Sequence, residues 1–187
     1  MAENGLKKLQ NQIWVTRISR VNAEKRLLNK EKFFQGINIY YSCILIIFSI
    51  LSLEQKYARL NMLTIFMTIS LLITILYVNG QNYSEHARDF RNNYTNIQIL
   101  EFRANHLNES DKEEIMKIEE EYCRLLNVAE NHISFDYYCA VCHSKPDYKK
   151  GIWRGVKWKY YLNCIWRILL VFVLISLPII LFILVMN

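Results

Sequence analysis

Three long stretches of the chain contain no charged residue, and this feature constrains the fold more than any other. They cover residues 36–53, 62–79 and 168–186, and highly charged sequence lies between them. A helix needs about 20 mostly apolar residues to cross the roughly 30 Å hydrocarbon core of a bilayer. It also satisfies its backbone polar groups internally, as lipid requires. We therefore read these stretches as membrane spans, although the first two could also be buried helices of a soluble bundle.

The spacing of the three stretches predicts a helical hairpin followed by a separate third span. The predicted fold is an all-α membrane protein. A transmembrane helical hairpin (36–79) and a C-terminal transmembrane helix (163–187) are joined to long helices that extend into a cytoplasmic helical bundle. In this division, residues 1–35 form a cytoplasmic amphipathic helix and residues 80–162 form a cytoplasmic helical region.

Lys and Arg residues near the spans predict the orientation of the chain. Residues 1–35 hold eight of them, the hairpin turn holds two, and residues 145–167 hold seven. Because positively charged flanks stay on the cytoplasmic side, the N terminus and residues 80–162 are expected in the cytoplasm. We expect the basic patches to contact anionic lipid, and no direct binding of nucleic acid.

Apolar residues spaced three and four apart predict helices outside the spans as well. These stripes cover residues 6–30, 82–107 and 111–130. The first runs directly into the first span, and the second span is expected to continue into the second stripe. The stripes are interrupted at Arg20 and Glu101, so they are imperfect.

The start of the third stripe and the segment after it carry local signals of their own. Ser110 and Glu113 have the spacing of a capping box, which marks a helix start. Residues 132–162 are expected to be irregular or short-helical, because Pro146, Gly151 and Gly155 interrupt them.

A set of short motifs resembles a known family. Residues 20–27 read RVNAEKRL and residues 122–137 read YCRLLNVAENHISFDY. The shared marks are Ala23, Arg26, Glu130, Asn131, His132, Asp136 and Tyr137. Together with the hairpin and the long helix after it, they resemble the SLATT family of bacterial two-transmembrane effector proteins over residues 20–140. The third span lies outside this two-span pattern.

The resemblance implies a membrane effector of anti-phage defence, of the abortive-infection kind. Such an effector is proposed to oligomerise into a pore or otherwise compromise the inner membrane when infection is sensed. The implied partners are membrane lipid, other copies of the chain, and a nucleotide-second-messenger synthase, reverse transcriptase or other sensor. A membrane-anchored adaptor or scaffold that recruits a soluble partner stays open as the alternative.

Polar residues in the hairpin spans are candidates for a pore lining or for helix interfaces. At about 100° per residue, one face of the first span carries Asn38, Ser42, Ser49 and Ser52. The second span carries Asn61, Thr64 and Thr68 on one side and Ser70, Thr74 and Tyr77 on the other. Such stripes usually hold helices together. If they line a lumen instead, the absence of charge within the spans predicts weak ion selectivity.

The sequence Cys139-Ala-Val-Cys142-His143 matches a c-type haem attachment motif. With His132 or Cys123 as a further ligand, the same three residues could also hold zinc. Haem attachment of this kind occurs outside the cytoplasmic membrane, opposite to the expected location, and one C-x-x-C is half a zinc site. We therefore expect reduced cytosolic thiols and no cofactor.

A catalytic interpretation of the same region is weak. His132 could act as a base oriented by Asp136, with Ser134 as a nucleophile. No nucleophile elbow or oxyanion device accompanies them, and the five glycines lie too far apart for a phosphate-binding loop. We expect a structural role for these residues, and no enzyme activity.

Overall fold

A computed structural model of the chain describes residues 5–53, 58–128, 133–143 and 153–186. They form six helices: α1 (Gly5–Leu51), α2 (Ala58–Gly80), α3 (Tyr83–Asn105), α4 (Lys112–Val128), α5 (Ser134–His143) and α6 (Trp153–Met186). No strand occurs within these ranges. The all-α prediction is confirmed.

Three helical stretches, in α1, α2 and α6, are long and apolar enough to cross a membrane. Only 11%, 11% and 6% of the residues in their apolar windows are buried inside the chain. Large side chains such as Ile46, Phe66 and Phe172 are therefore exposed. Continuous apolar surface of this extent is typical of a protein surrounded by lipid, and the chain is an all-α membrane protein.

The chain divides into two compact units. One, the bundle unit, comprises Met1–Leu28 and Ser84–Tyr161. The other, the span unit, comprises Asn29–Tyr83 and Leu162–Asn187. The first part of α1 therefore belongs to the bundle unit and the rest to the span unit, and α6 is divided in the same way.

The bundle unit has an apolar core built from α1, α3 and α4. The buried core side chains are Leu9, Ile13, Ile97, Leu100, Ala104, Ile118, Tyr122 and Leu125. They come from the stripes that predicted these helices, because one apolar face per helix is enough to enclose a core. Farther along the chain, α5 and the start of α6 join the unit: Phe135 stacks on Tyr160 with ring centroids 5.7 Å apart.

The span unit has a smaller core between its three helices. Leu45, Phe48, Leu60 and Met67 are buried in it, and Leu181, Phe182 and Val185 of α6 pack against them. The rings of Phe48 and Phe182 stack with centroids 5.2 Å apart. The third span thus packs on the hairpin through aromatic and aliphatic contacts.

The secondary structure just before the third span differs from the prediction. Residues 153–162, expected to be irregular or short-helical, belong to the same continuous helix as the span. Gly155 lies inside this helix, with open space around its Cα hydrogen. An interior glycine costs only about 1 kcal/mol relative to alanine, so the long helix tolerates it.

Two other boundaries also differ. The helix of the second span does not continue into α3: it ends at Gly80, and Asn82 adopts a left-handed conformation with φ of 45°. Asparagine tolerates this region better than most residues. At α4, the first helical hydrogen bond runs from the amide of Ile115 to the carbonyl of Asp111, at 3.0 Å. Asp111 is therefore the N-cap, one residue later than the predicted Ser110.

Replacing Ile97 with alanine should destabilise the bundle unit. The side chain of Ile97 is fully buried, and removing it leaves a cavity that costs about 2–5 kcal/mol. Ile99, two residues away on α3, is 56% exposed, so Ile99→Ala is the matched control and should change stability by less than about 0.5 kcal/mol. Thermal unfolding of the full chain in detergent, followed by circular dichroism, measures both. Equal shifts would contradict the packing described for α3.

Candidate functional site

The four candidate lining residues of the first span differ in exposure. Asn38, Ser42 and Ser52 are half-buried, and Ser49 is exposed. The Oδ1 atom of Asn38 is buried without a hydrogen-bond partner, whereas the hydroxyl of Ser52 donates to the carbonyl of Ser49 at 2.9 Å. This face therefore lies beside the packed core of the span unit, and its role as a pore lining stays a prediction.

The hydroxyls of the second span bond to their own helix. Thr64 is buried and donates to the carbonyl of Leu60, and Thr68 donates to the carbonyl of Thr64, both at 2.8 Å. On the other side of α2, Ser70 and Thr74 donate in the same way to carbonyls four residues earlier, at 2.9 and 2.8 Å. Each of these bonds satisfies a donor without linking two helices.

One side of α2 presents a polar stripe that the span unit leaves uncovered. Ser70, Thr74 and Tyr77 are all exposed, and Tyr77 is 66% exposed. These are the residues that the sequence places on the side opposite to Thr64 and Thr68. The stripe is therefore available to lipid, to water or to another copy of the chain.

The hydrogen bonds between spans come from two tyrosines that the sequence did not single out. The hydroxyl of Tyr41 donates to the carbonyl of Leu174, and that of Tyr40 to the carbonyl of Ile175, both at 2.8 Å. Pro178 lies four residues after Leu174 and has no amide hydrogen, so it cannot bond this carbonyl within α6. The hydroxyl of Tyr41 takes the place of the missing amide. In a membrane, neighbouring helices satisfy freed backbone groups in this manner.

In the bundle unit, two marks of the family resemblance contact each other. Asp136 of α5 is fully buried, and its carboxylate accepts two bonds from the guanidinium of Arg26 on α1, at 2.9 and 3.1 Å. The same carboxylate accepts the amide of Ile133 at 3.2 Å, and Asn22 donates to the Asp136 carbonyl. This bidentate geometry is the strong form of a carboxylate–arginine pair, and it ties α5 to α1; the structural role of Asp136 stays a prediction.

A second arginine of α1 caps the end of α4. The guanidinium of Arg20, 1% exposed, donates to the carbonyls of Leu125 and Leu126 at 3.1 and 3.2 Å. Because α4 ends at Val128, these are among the last carbonyls of the helix, which lack partners and carry partial negative charge. Burial lowers the pKa of Arg20 from its usual value, yet an arginine stays protonated in proteins.

Further polar contacts tie α1 to α3 and α4. Glu24 accepts a hydrogen bond from Arg91 at 2.7 Å, and Arg17 pairs with Glu101. Thr16 and Tyr122 share a hydrogen bond of 2.7 Å. Burial raises the pKa of the Tyr122 hydroxyl, and the bond to Thr16 opposes that rise. Arg20 and Glu101, which interrupt the apolar stripes, are therefore partners in contacts between helices.

The remaining candidates are only partly described. Glu130, Asn131 and His132 lie outside the described residues, and so does the side chain of His143. Tyr137 is half-buried and packs edge-on against Tyr138.

The cysteines show no covalent pairing. Cys139 and Cys142 are half-buried, and no disulfide forms within the described ranges. Over the same residues, no group of three or more His, Cys, Asp and Glu side chains could hold a metal. The described residues around Asp136 therefore form no metal centre.

The contact between Tyr41 and the carbonyl that Pro178 frees has a partial signal in the sequence. A proline inside an apolar span frees one carbonyl, and a hydroxyl-bearing residue in another span can satisfy it. Sequence spacing does not, however, reveal which tyrosine reaches which carbonyl, since Tyr41 and Leu174 are separated by 133 residues.

Replacing Asp136 with alanine should destabilise the bundle unit strongly. The change leaves the guanidinium of Arg26, whose side chain is 11% exposed, without its counter-charge, and breaking a buried pair costs about 3–5 kcal/mol. Glu114→Ala is the control, because it breaks the exposed Lys117–Glu114 pair, which solvent screens and which contributes little to stability. Chemical unfolding in detergent measures the free energy of unfolding of both variants. A loss for Asp136→Ala as small as that of the control would refute the structural role.

Replacing Tyr41 with phenylalanine should weaken the attachment of the third span. The Leu174 carbonyl then lacks a donor, at a cost of about 0.6–2 kcal/mol. In a Pro178→Ala background, the new amide at position 178 can bond this carbonyl, so the same substitution should cost less. Tyr77→Phe, on the exposed stripe, serves as the control. The thermal stabilities of the unmodified protein, Tyr41→Phe, Pro178→Ala and the double variant in detergent give the coupling free energy. An equal cost of Tyr41→Phe with and without Pro178 would contradict the assignment.

The chain was also compared with known proteins. No curated protein and no solved structure matches it significantly. A family model, described as the SMODS and SLOG-associating 2TM effector domain family 5, matches residues 2–184. The match reaches beyond residues 20–140 and takes in most of the third span, which this chain has in addition to the two spans that the family description names. Because the match covers nearly the whole chain, the protein belongs to the SMODS and SLOG-associating 2TM effector domain family 5 (SLATT_5).

Proposed function

We propose that the chain oligomerises in the bacterial inner membrane and permeabilises it as the effector of an anti-phage defence system. The observation that carries this proposal is the low burial of the three apolar windows, 11%, 11% and 6%. A single copy covers little of its own apolar surface, which leaves room for contacts with further copies as well as with lipid. Membership of a 2TM effector family supports the effector role.

The candidate lumen faces are the two polar stripes of the hairpin. On the first span the stripe consists of Asn38, Ser42, Ser49 and Ser52, and on the second of Ser70, Thr74 and Tyr77. Because the apolar windows carry no charge, the conductance should be weakly selective.

The proposed orientation places the bundle unit in the cytoplasm. The Lys and Arg counts support it, and so do exposed aromatic residues near the start of the third span. Trp158, Tyr161 and Trp166 are 70%, 58% and 66% exposed, as expected for an aromatic belt at a membrane interface.

The trigger is proposed to come from a separate protein. The family name links these effectors to SMODS and SLOG proteins. A nucleotide-second-messenger synthase, a reverse transcriptase or another sensor of the same defence system is the partner that we propose.

A membrane-anchored adaptor is the second candidate function. The observation that favours it is exposed apolar surface on the bundle unit, where Ile99, Phe102 and Met116 are 56%, 57% and 68% exposed. A soluble partner could cover these side chains. An adaptor would bind such a partner without conducting ions. A haem or zinc protein based on Cys139, Cys142 and His143 is a third, weaker possibility, and a coloured or zinc-containing preparation would reveal it.

Purified full-length protein should release a trapped dye from liposomes. Changing Ser42, Ser49 and Ser52 together to leucine should reduce release to the level of protein-free liposomes, because apolar constrictions close pores by excluding water. A second variant, Ser70→Leu with Thr74→Leu, tests the stripe on α2 by the same assay. Chemical crosslinking of each variant in the liposomes reports whether assembly is preserved.

The matched control changes three isoleucines on another face of the first span to leucine. Ile39, Ile46 and Ile50 are 66%, 61% and 62% exposed, and their replacement keeps the surface apolar, so leakage should be unchanged. Normal leakage and normal assembly in both polar-stripe variants would exclude these faces from the lumen. A wild-type protein that assembles but never leaks would favour the adaptor.

A further inference from the structure

An open cavity of about 340 Å³ lies in the bundle unit, between α3 and the end of α4. The described residues that line it are His86, Asp89, Phe90, Asn92, Asn93, Asn96 and Val128. Most of them recur at helical spacing on one face of α3. At about 30 Å³ per molecule, the volume would hold roughly ten waters, so it is far larger than a site for a single ion.

One wall of the cavity has an unused hydrogen-bond acceptor. Asn93 is 3% exposed, and its amide nitrogen donates to the carbonyl of Leu125 at 2.9 Å. A carbonyl can only accept, so this contact fixes the orientation of the carboxamide. The Oδ1 atom is buried without a partner. An unsatisfied buried acceptor is costly, and a ligand with an N–H donor would satisfy it.

The chemistry of the lining limits the kind of ligand. Among the described residues that line the cavity, none is Lys or Arg, while Asp89 contributes a carboxylate. An anionic group such as a phosphate is therefore disfavoured inside it. Three carboxamides offer donors and acceptors side by side, and Phe90 and Val128 add apolar surface. Carboxamides bind an amino group and the adjacent ring nitrogen of adenine with two bonds, and carboxylates accept the amino group of cytosine.

We propose that this cavity binds a nucleobase that carries an exocyclic amino group. The amino group donates to the Oδ1 of Asn93 or to the carboxylate of Asp89, and the carboxamides of Asn92 and Asn96 pair with the ring edge. The proposal concerns binding and does not depend on membrane leakage.

Equilibrium dialysis of the full-length protein in nanodiscs, with labelled nucleosides, tests the proposal. Adenosine or cytidine should bind, and uridine, which has no amino group, should bind about tenfold more weakly. Asp89→Ala and Asn96→Ala should each weaken binding by about tenfold as well. Both positions are exposed, so these variants should fold normally, which circular dichroism verifies.

Thr95→Ala is the matched control. Thr95 is an exposed residue of the same helix, outside the lining, and its hydroxyl bonds only to its own helix, at the carbonyl of Arg91. Its replacement should leave nucleoside binding unchanged. Failure of adenosine and cytidine to bind at millimolar concentration would overturn the proposal. So would equal binding of uridine, or binding that is unaffected in both Asp89→Ala and Asn96→Ala.

Discussion

Lipid offers no hydrogen bonds, and this constraint decides how the span unit is built. Every polar group within an apolar helix must find its partner in the protein. Thr64, Thr68, Ser70 and Thr74 meet this demand with carbonyls of their own helix. The one carbonyl that Pro178 deprives of its helical partner receives the hydroxyl of Tyr41. Tyr41 of the first span thereby lies beside the third span, which also packs on the first through the rings of Phe48 and Phe182.

The bundle unit differs from the span unit in that charged side chains are buried in it. Asp136 is paired with Arg26, and Arg20 caps the end of α4. Both arginines lie on α1, six residues apart, and together with Glu24 they bind groups from α3, α4 and α5. Each of these contacts needs one particular partner at one particular position along α1. The polar groups therefore define the register of the helices more strictly than the apolar stripe could.

Much of the fold follows from local sequence patterns, and the errors have identifiable causes. Uncharged windows predict the spans because a helix that crosses the membrane needs about 20 consecutive, mostly apolar residues. The expectation of irregular structure before the third span was wrong at residues 153–162, because Gly155 was treated as a break, whereas a long helix tolerates an isolated glycine. The cap of α4 was misplaced by one residue because Ser110 and Asp111 are both good N-cap residues. The contact of Tyr41 with Leu174 depends on distant parts of the chain, and local patterns do not encode it. The cavity beside Asn93 was missed for the same reason.

The self-bonded hydroxyls of α2 have one more consequence. Ser70 and Thr74 already donate their hydroxyl hydrogens to carbonyls of α2, so neither donor is left without a partner when this edge lies against hydrocarbon. Their oxygens can still accept hydrogen bonds when the edge lies against water. A helix edge built in this way is therefore compatible with either neighbour.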